Sequence, residues 1–433
     1  MIWKEMLYKI TFLITFALIA LLTIRRSAGV HSAADFSVAN RSLSSTGVSW
    51  VIIGTLVGGV STIGTVQAAY THGISAGIFT FGSGVSCFIL GCFFAKGLRE
   101  EGVVTVSEYL GKFFGQRFRY YSSALNSTGM FIHVVGQFLA SIAILSSVFG
   151  FADSLSVLIS MVLIGVFVIS GGMSGAGLIG KIKFFMLYII MVLSAAMALC
   201  KGGGWQNIVD HLPRDVNMLS FADYGFRPAA IDMFSMLVGV LSTQIYLQAI
   251  FSAKNVQEAR NGAFLSAAVI PPIGVLGIIV GLYLRVHFPE LAGNPAQALP
   301  FFLYHTFPPV IAALFAAGIL LVVLGTGAGL VLGVTTNIYS DFLSAHKGFL
   351  GRIPPVRLLR ICAMVVLLLA SMLVFTGLDS TILKWSYMSM GLRGSAVFAG
   401  LFILVFMKKY AHSTFILALL YLIPVGYILL QLL

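Results

Sequence analysis

Apolar runs of roughly twenty residues follow one another along the whole chain, and polar positions gather between them. A helix needs about 20 residues to cross a hydrocarbon layer of ~30 Å, so this pattern predicts membrane-spanning helices. The runs rarely alternate polar and apolar, which argues against a β-barrel. On hydropathy and loop chemistry, spans fall near 7–24, 46–71, 75–95, 120–149, 153–171, 178–200, 229–252, 262–284, 303–340, 357–376, 383–407 and 412–432. The expectation is an all-α membrane protein of about twelve helices in a single transmembrane domain, 1–433. The run Leu7 to Leu22 ends in Thr-Ile-Arg-Arg rather than a small-residue cleavage site, so it reads as a retained helix.

Composition agrees: 59% of the 433 residues are apolar and 9% charged. The net charge of +12 reflects topology rather than nucleic-acid binding. If the first helix runs outward to inward, seven of the 26 basic residues lie outside (Lys4, Lys9, Lys201, Arg214, Arg227, Arg285, Lys384), Arg393 lies inside a helix, and the remaining eighteen collect on the inner side. By the positive-inside rule this places both termini outside. Cys87, Cys92, Cys200 and Cys362 form no CxxC and have no His at ligand spacing, so they read as buried small side chains.

The longest outer loop, near 201–228, separates 46–200 from 229–407, five helices each. Because five is odd, the two halves cross the membrane in opposite senses, the geometry of an inverted repeat flanked by the extra helices 7–24 and 412–432. The second span, "SWVIIGTLVGGVSTIGTVQAAYTHG", mixes Gly54, Gly58, Gly59 and Gly64 with Ser61, Thr62 and Thr65. Such a helix is easily broken, and broken backbone within a membrane is tolerated where it faces a cavity, ion or solute. Close helix packing would also explain the glycines. The ninth span, "LGTGAGLVLGVTTNIYSDF", shows a similar interruption.

With these segments the chain resembles the sodium:solute symporter family. "DFSVANRSLSSTGVSW", "TVSEYLGKFFG", "QIYLQAIFSAKNVQEAR" and "TTNIYSDF" resemble its landmarks in order and spacing, and "GGMSGAGLIG" sits where the family has a double-glycine turn. The resemblance implies a leucine-transporter-like five-plus-five core that imports a small solute with sodium. Carried onto this chain, the ion site would comprise the carbonyls of Gly54 and Val57 with positions Val322, Gly325 and Thr326. If sodium binds, its ligands here would come from Gly54, Val57 and Thr326. The family usually has two hydroxyls at the last two positions; Gly325 has none. Its frequent Asp, eight residues past the double glycine, is Gly180 here, followed by Lys181 and Lys183.

A lysine ammonium pointing into that site would act as a built-in cation, as in sodium-independent relatives of the fold. Burial disfavours a lysine's charge, so such a group can take up and release a proton. The two lysines lie about 200° apart around a helix; Lys181, adjoining the lost Asp position, is the expected occupant, and snorkelling to the interface is the plain alternative. Arg393 sits mid-helix, where it needs a partner or wet cavity: a solute carboxylate, or an ion pair with Asp232, which reads as the one intramembrane acid. His133 and Gln137, one turn apart, are solute-contact candidates, as are Ser61 and Thr62. The family's sugar-lining positions fall on Ser61, Met236, Gly239 and Tyr387, too apolar for a polyol. The family's "QR" pair is Gln248-Ala249 here.

The expected function is a secondary transporter for a small organic solute, carboxylate- or amino-acid-like, in a plasma (inner) membrane. Sodium or a proton would be the coupling ion, with no cofactor, no nucleic-acid partner and no catalysis. A conventional sodium symporter and a transporter-fold sensor are the alternatives. No HExxH, paired carboxylates or Ser/His/Asp set supports an enzyme.

Overall fold

The computed structural model describes residues 2–27, 32–213, 217–221, 224–344, 353–375 and 382–432. Within them the regular structure is helical, apart from one isolated parallel bridge between Leu43 and Ala253. The first half runs α1 (Ile2–Ser27), α2 (Ala33–Val38), α3 (Ser45–Leu56), α4 (Thr65–His72), α5 (Ile78–Ile89), α6 (Ala95–Glu100), α7 (Val106–Phe114), α8 (Gln116–Phe149) and α9 (Asp153–Lys201). The second runs α10 (Trp205–Asp210), α11 (Phe226–Val240), α12 (Gln244–Phe251), α13 (Val256–His287), α14 (Ala298–Thr306), α15 (Pro309–Asn337), α16 (Pro355–Val374), α17 (Ile382–Phe406) and α18 (Thr414–Leu432). Among the described residues, eight helical runs are long and apolar enough to cross a bilayer, and Ser45–Leu56, Asp153–Ile169 and Thr414–Leu430 are shorter apolar runs.

The predicted spans 153–171 and 178–200 form one helical run, α9. Ile164 packs where a side chain on Gly327 would lie, while Lys183 bonds Thr326, its chain neighbour. A straight helix would separate residues 164 and 183 by about 28 Å. The run is therefore not straight between them.

Two helices are interrupted. The first break, at Val57–Gly59, parts α3 from a π-type turn at Val60–Gly64 and then α4. The second, at Leu241–Thr243, parts α11 from α12. The expected interruption of the ninth span is not found, because α15 is continuous to Asn337 and only loosens into a π-type turn at Ile338–Leu343. Its glycines serve packing instead: a Cβ on Gly327 or Gly329 would strike Ile164 or Thr55. The predicted 303–340 span also begins later, since Pro308 separates α14 from α15.

Helix starts carry their own signals. Thr105 caps α7 by accepting from the Glu108 amide at 2.9 Å, and Asn255 caps α13 by accepting from the Glu258 amide at 2.9 Å. Glu258 in turn accepts from both the amide and the hydroxyl of Ser45 at the start of α3, which joins the two helices. This end of the molecule carries Arg99, Arg119 and Arg260 and is called the basic end.

Candidate functional site

The break in α3 leaves main-chain groups that lipid cannot satisfy, and neighbouring side chains take them up. Ser61 accepts from the Gly58 amide at 2.8 Å, Gln137 on α8 accepts from the Gly59 amide at 3.1 Å, and Thr62 donates to the Gly58 carbonyl at 2.8 Å. All three are buried. In this arrangement they hold the broken backbone, and the Gln137 side-chain nitrogen is left without a partner.

On the other side of the break stands Lys183. Its ammonium donates to the Gly54 carbonyl and, at 2.6 Å, to the Thr326 hydroxyl, and the residue is only 2% exposed. Thr326 lies 3.2 Å from both the Gly54 and Val57 carbonyls, so it must share its single proton between them. Lys181, the residue favoured from the sequence, is exposed. The reason is helical register. A Cβ on Gly54 would meet the Gly180 backbone and one on Gly180 would strike the Trp50 carbonyl, so α3 and α9 cross in contact there. Position 183 shares that face one turn on, whereas position 181 points about 100° away.

Gly58 packs directly on the Thr326 side chain, which fixes the hydroxyl against the break. Val322, one turn earlier on α15, is fully buried. Gly325 faces elsewhere, toward Phe167, Val168 and Ala176. Thus Gly54, Val57, Thr326 and Lys183 come together, while Gly325 and Lys181 do not join them.

A cavity of about 530 Å³ opens at the end opposite the basic one, between α4, α11 and α17. Its lining includes Gly64, Gln67, Tyr224, Arg227, Asp232 and Tyr387. Of the proposed solute contacts, only Tyr387 lines it. Gly239 is packed against Met390, and Met236 is fully buried beside Gly82. Asp232 accepts from the Tyr224 hydroxyl, and the alternative Asp232–Arg393 ion pair is not among the described ion pairs.

Arg393 is fully buried on α17 and is not part of that lining. It donates to the Ser389 carbonyl at 3.2 Å, the Ser389 hydroxyl at 3.0 Å and the His133 ring at 3.3 Å. A guanidinium only donates, so His133 Nδ1 accepts, and its Nε2 hydrogen points to the Ser386 hydroxyl at 3.2 Å. His133 is a satisfied core histidine.

These features coincide with a known pattern: a sequence profile described as the sodium:solute symporter family matches residues 36–420. The chain belongs to the sodium:solute symporter family. It is 22% identical over 408 residues to high-affinity choline transporter 1 of Drosophila melanogaster, covering 90% of this chain and 64% of that relative's length. Among solved structures, a substrate-bound, outward-open sodium-coupled sialic acid symporter matches with a TM-score of 0.79 at 15% identity, covering 97% of this chain and 96% of that one. A nucleobase-cation-symport-1 family transporter, solved closed with bromovinylhydantoin bound, matches at 0.63 and 13% identity, over 88% and 82%. These likenesses establish a leucine-transporter-like fold.

The family landmarks, distant in sequence, meet at the basic end. Asp341 of "TTNIYSDF" accepts from Arg119 at 2.8 Å, Thr105 at 2.9 Å and Ser123 at 2.7 Å. Gln244 bridges the Val106 amide and the Val104 carbonyl, each at 2.9 Å, and Asn126 donates to the Ser242 carbonyl in the α11–α12 break at 2.7 Å. Gln248, of the Gln-Ala pair, donates to the Ser37 carbonyl and, at 3.2 Å, to Thr336. Asp341 is thus a second deep acid beside Asp232, missed in the sequence because it looked like a helix end. The basic end is knotted shut while the opposite end is open.

Proposed function

We propose that this chain is a secondary transporter that moves a small organic solute by alternating access, with the Lys183 ammonium standing where family relatives bind an alkali ion. The observation that carries this reading is the placement of Lys183 on the Gly54 carbonyl and the Thr326 hydroxyl. Sodium is a hard cation that needs several oxygens at once. Three are at hand, from Gly54, Val57 and Thr326, and the lysine already bonds two of them. On this reading too few oxygens are left to ligate an ion beside it. Transport is then sodium-independent or coupled to a proton carried by the lysine.

The open cavity suits the solute class expected from the sequence. Its lining pairs the acidic Asp232 and the Tyr224 and Tyr387 rings with the basic Arg227 and Lys384, a balance that fits an amino-acid-like or carboxylate-bearing molecule. The basic end faces the cytoplasm of a plasma (inner) membrane, with both termini outside.

The test is uptake of a mixture of L-amino acids and monocarboxylates into proteoliposomes, read by mass spectrometry of the lumen, with sodium and proton gradients imposed separately. Uptake that persists without sodium supports the reading. Uptake abolished by sodium removal despite a proton gradient favours conventional symport, for which one observation speaks: the same three oxygens would be free to ligate sodium once Lys183 swung out. Absence of flux for every solute would favour a sensor.

A further inference from the structure

Arg393 places a full positive charge in the core, and among the described residues no acid forms an ion pair with it. Among the described residues the two deep acids are engaged elsewhere, Asp232 with Tyr224 and Asp341 with Arg119. The bonds to Ser389 and His133 are all to neutral groups and use only Nε and Nη2. Nη1, buried, has no partner. The Tyr246 hydroxyl on α12 is also buried and without a partner. Met390 brings the guanidinium to the turn that carries Tyr246: its sulfur lies 3.0 Å from Arg393 Nη2 and 3.9 Å from the hydroxyl of Thr243, whose carbonyl accepts from the Tyr246 amide. A buried charge is ordinarily paired, and buried donors are ordinarily bonded, so an unpaired cation with one idle N–H, and a second idle donor nearby, specify a negatively charged acceptor.

We propose that Arg393 Nη1 and the Tyr246 hydroxyl form a buried binding site for a small monovalent anion. A free guanidinium N–H makes a strong charge-assisted bond to an anion, and a second donor from a different helix would fix the orientation. The site lies beneath the open cavity: Tyr387, in the cavity lining, is about 9 Å above Arg393 along α17, and Ser386, which holds His133, adjoins it. Its occupant is either the carboxylate of the transported solute, which rests on the function proposed above, or a free inorganic anion held while other solutes pass. Because Arg393 lies on α17 and Tyr246 on α12, the bound anion ties the interrupted second-half helix to α17.

The experiment is thermal unfolding of the purified full-length chain in detergent at constant sodium, with HEPES as reference anion replaced stepwise by chloride or by acetate. Wild type is expected to show a saturable rise in unfolding midpoint, Tyr246→Phe to need about tenfold more anion for loss of one bond to a charged ligand, and Arg393→Gln to show none. Stabilisation by acetate well beyond chloride identifies the solute carboxylate as the source. Equal, competing stabilisation identifies an inorganic ion. No saturable rise in wild type overturns the site, as does an unaltered response in Arg393→Gln. If that variant fails to fold, an unaltered Tyr246→Phe response overturns it. The readout needs no transport, so it can fail while the proposed function stands, or succeed while that fails.

Discussion

Replacing Lys183 by methionine keeps the length and packing of the stem while deleting the ammonium. The lost interactions are two charge-assisted hydrogen bonds, to the Gly54 carbonyl and the Thr326 hydroxyl. At about 1.5–3 kcal/mol each they amount to about 3–6 kcal/mol. Against this stands the cost of burying an ammonium, which is several kcal/mol. The terms oppose, so Lys183→Met should leave the unfolding temperature within a few degrees of wild type or raise it. Function responds differently, because the lysine joins α9 to α3 and α15 and so favours the state in which those helices meet. If its bonds exist only in that state, losing them shifts the outward-to-inward balance by up to about 10²–10⁴-fold. The assay is initial solute uptake into proteoliposomes beside thermal unfolding of the same preparation. Uptake reduced at least about 100-fold, with a well-folded protein and no rescue by sodium, is the expected result. Uptake within about threefold of wild type would refute the reasoning.

Other predictions rest on contacts elsewhere. Gly180→Ala places a methyl group against the Trp50 carbonyl and should lower stability by about 1–3 kcal/mol and impair transport, whereas at Gly177 a Cβ meets a Val51 methyl at 3.5 Å and Gly177→Ala should be tolerated. Thermal unfolding of the pair separates them, and equal effects would count against the helix crossing. Asp341→Asn removes the counter-charge of Arg119, a partly exposed partner, so about 1–3 kcal/mol of the basic-end lock is lost. Alkylation of a cysteine at Thr335 should then speed up several-fold, and an unchanged rate would exclude Asp341 from holding that end closed. Gln137→Leu leaves the Gly59 amide unpaired and should cost about 1–3 kcal/mol in unfolding measurements, while Gln137→Glu, which keeps the acceptor, costs less.

The all-helical character, the break in the second span and the residues around it were legible because they follow from helix length and from the cost of unpaired backbone in lipid. The choice between the two lysines depended on register. Gly177, Gly180 and Lys183 recur every three residues, which puts the lysine on the small-residue face; adjacency to the lost Asp position pointed instead to Lys181. The second interruption was not predicted: its sequence trace is Gly239 with Ser242 and Thr243, a weaker cluster than the glycines of α15, which mark close packing rather than a break. The Asp341 knot escaped notice because its partners come from α7 and α8, more than 200 residues away in sequence. Hydropathy contains no information on such pairings.

The claim at the centre is that a side-chain ammonium occupies the ion position, and an experimental density map of the protein in high-sodium buffer examines it directly. The account predicts continuous density from the Lys183 stem to the Gly54 carbonyl and Thr326. A compact ion there, ringed by the Gly54, Val57 and Thr326 oxygens with Lys183 turned away, would contradict it.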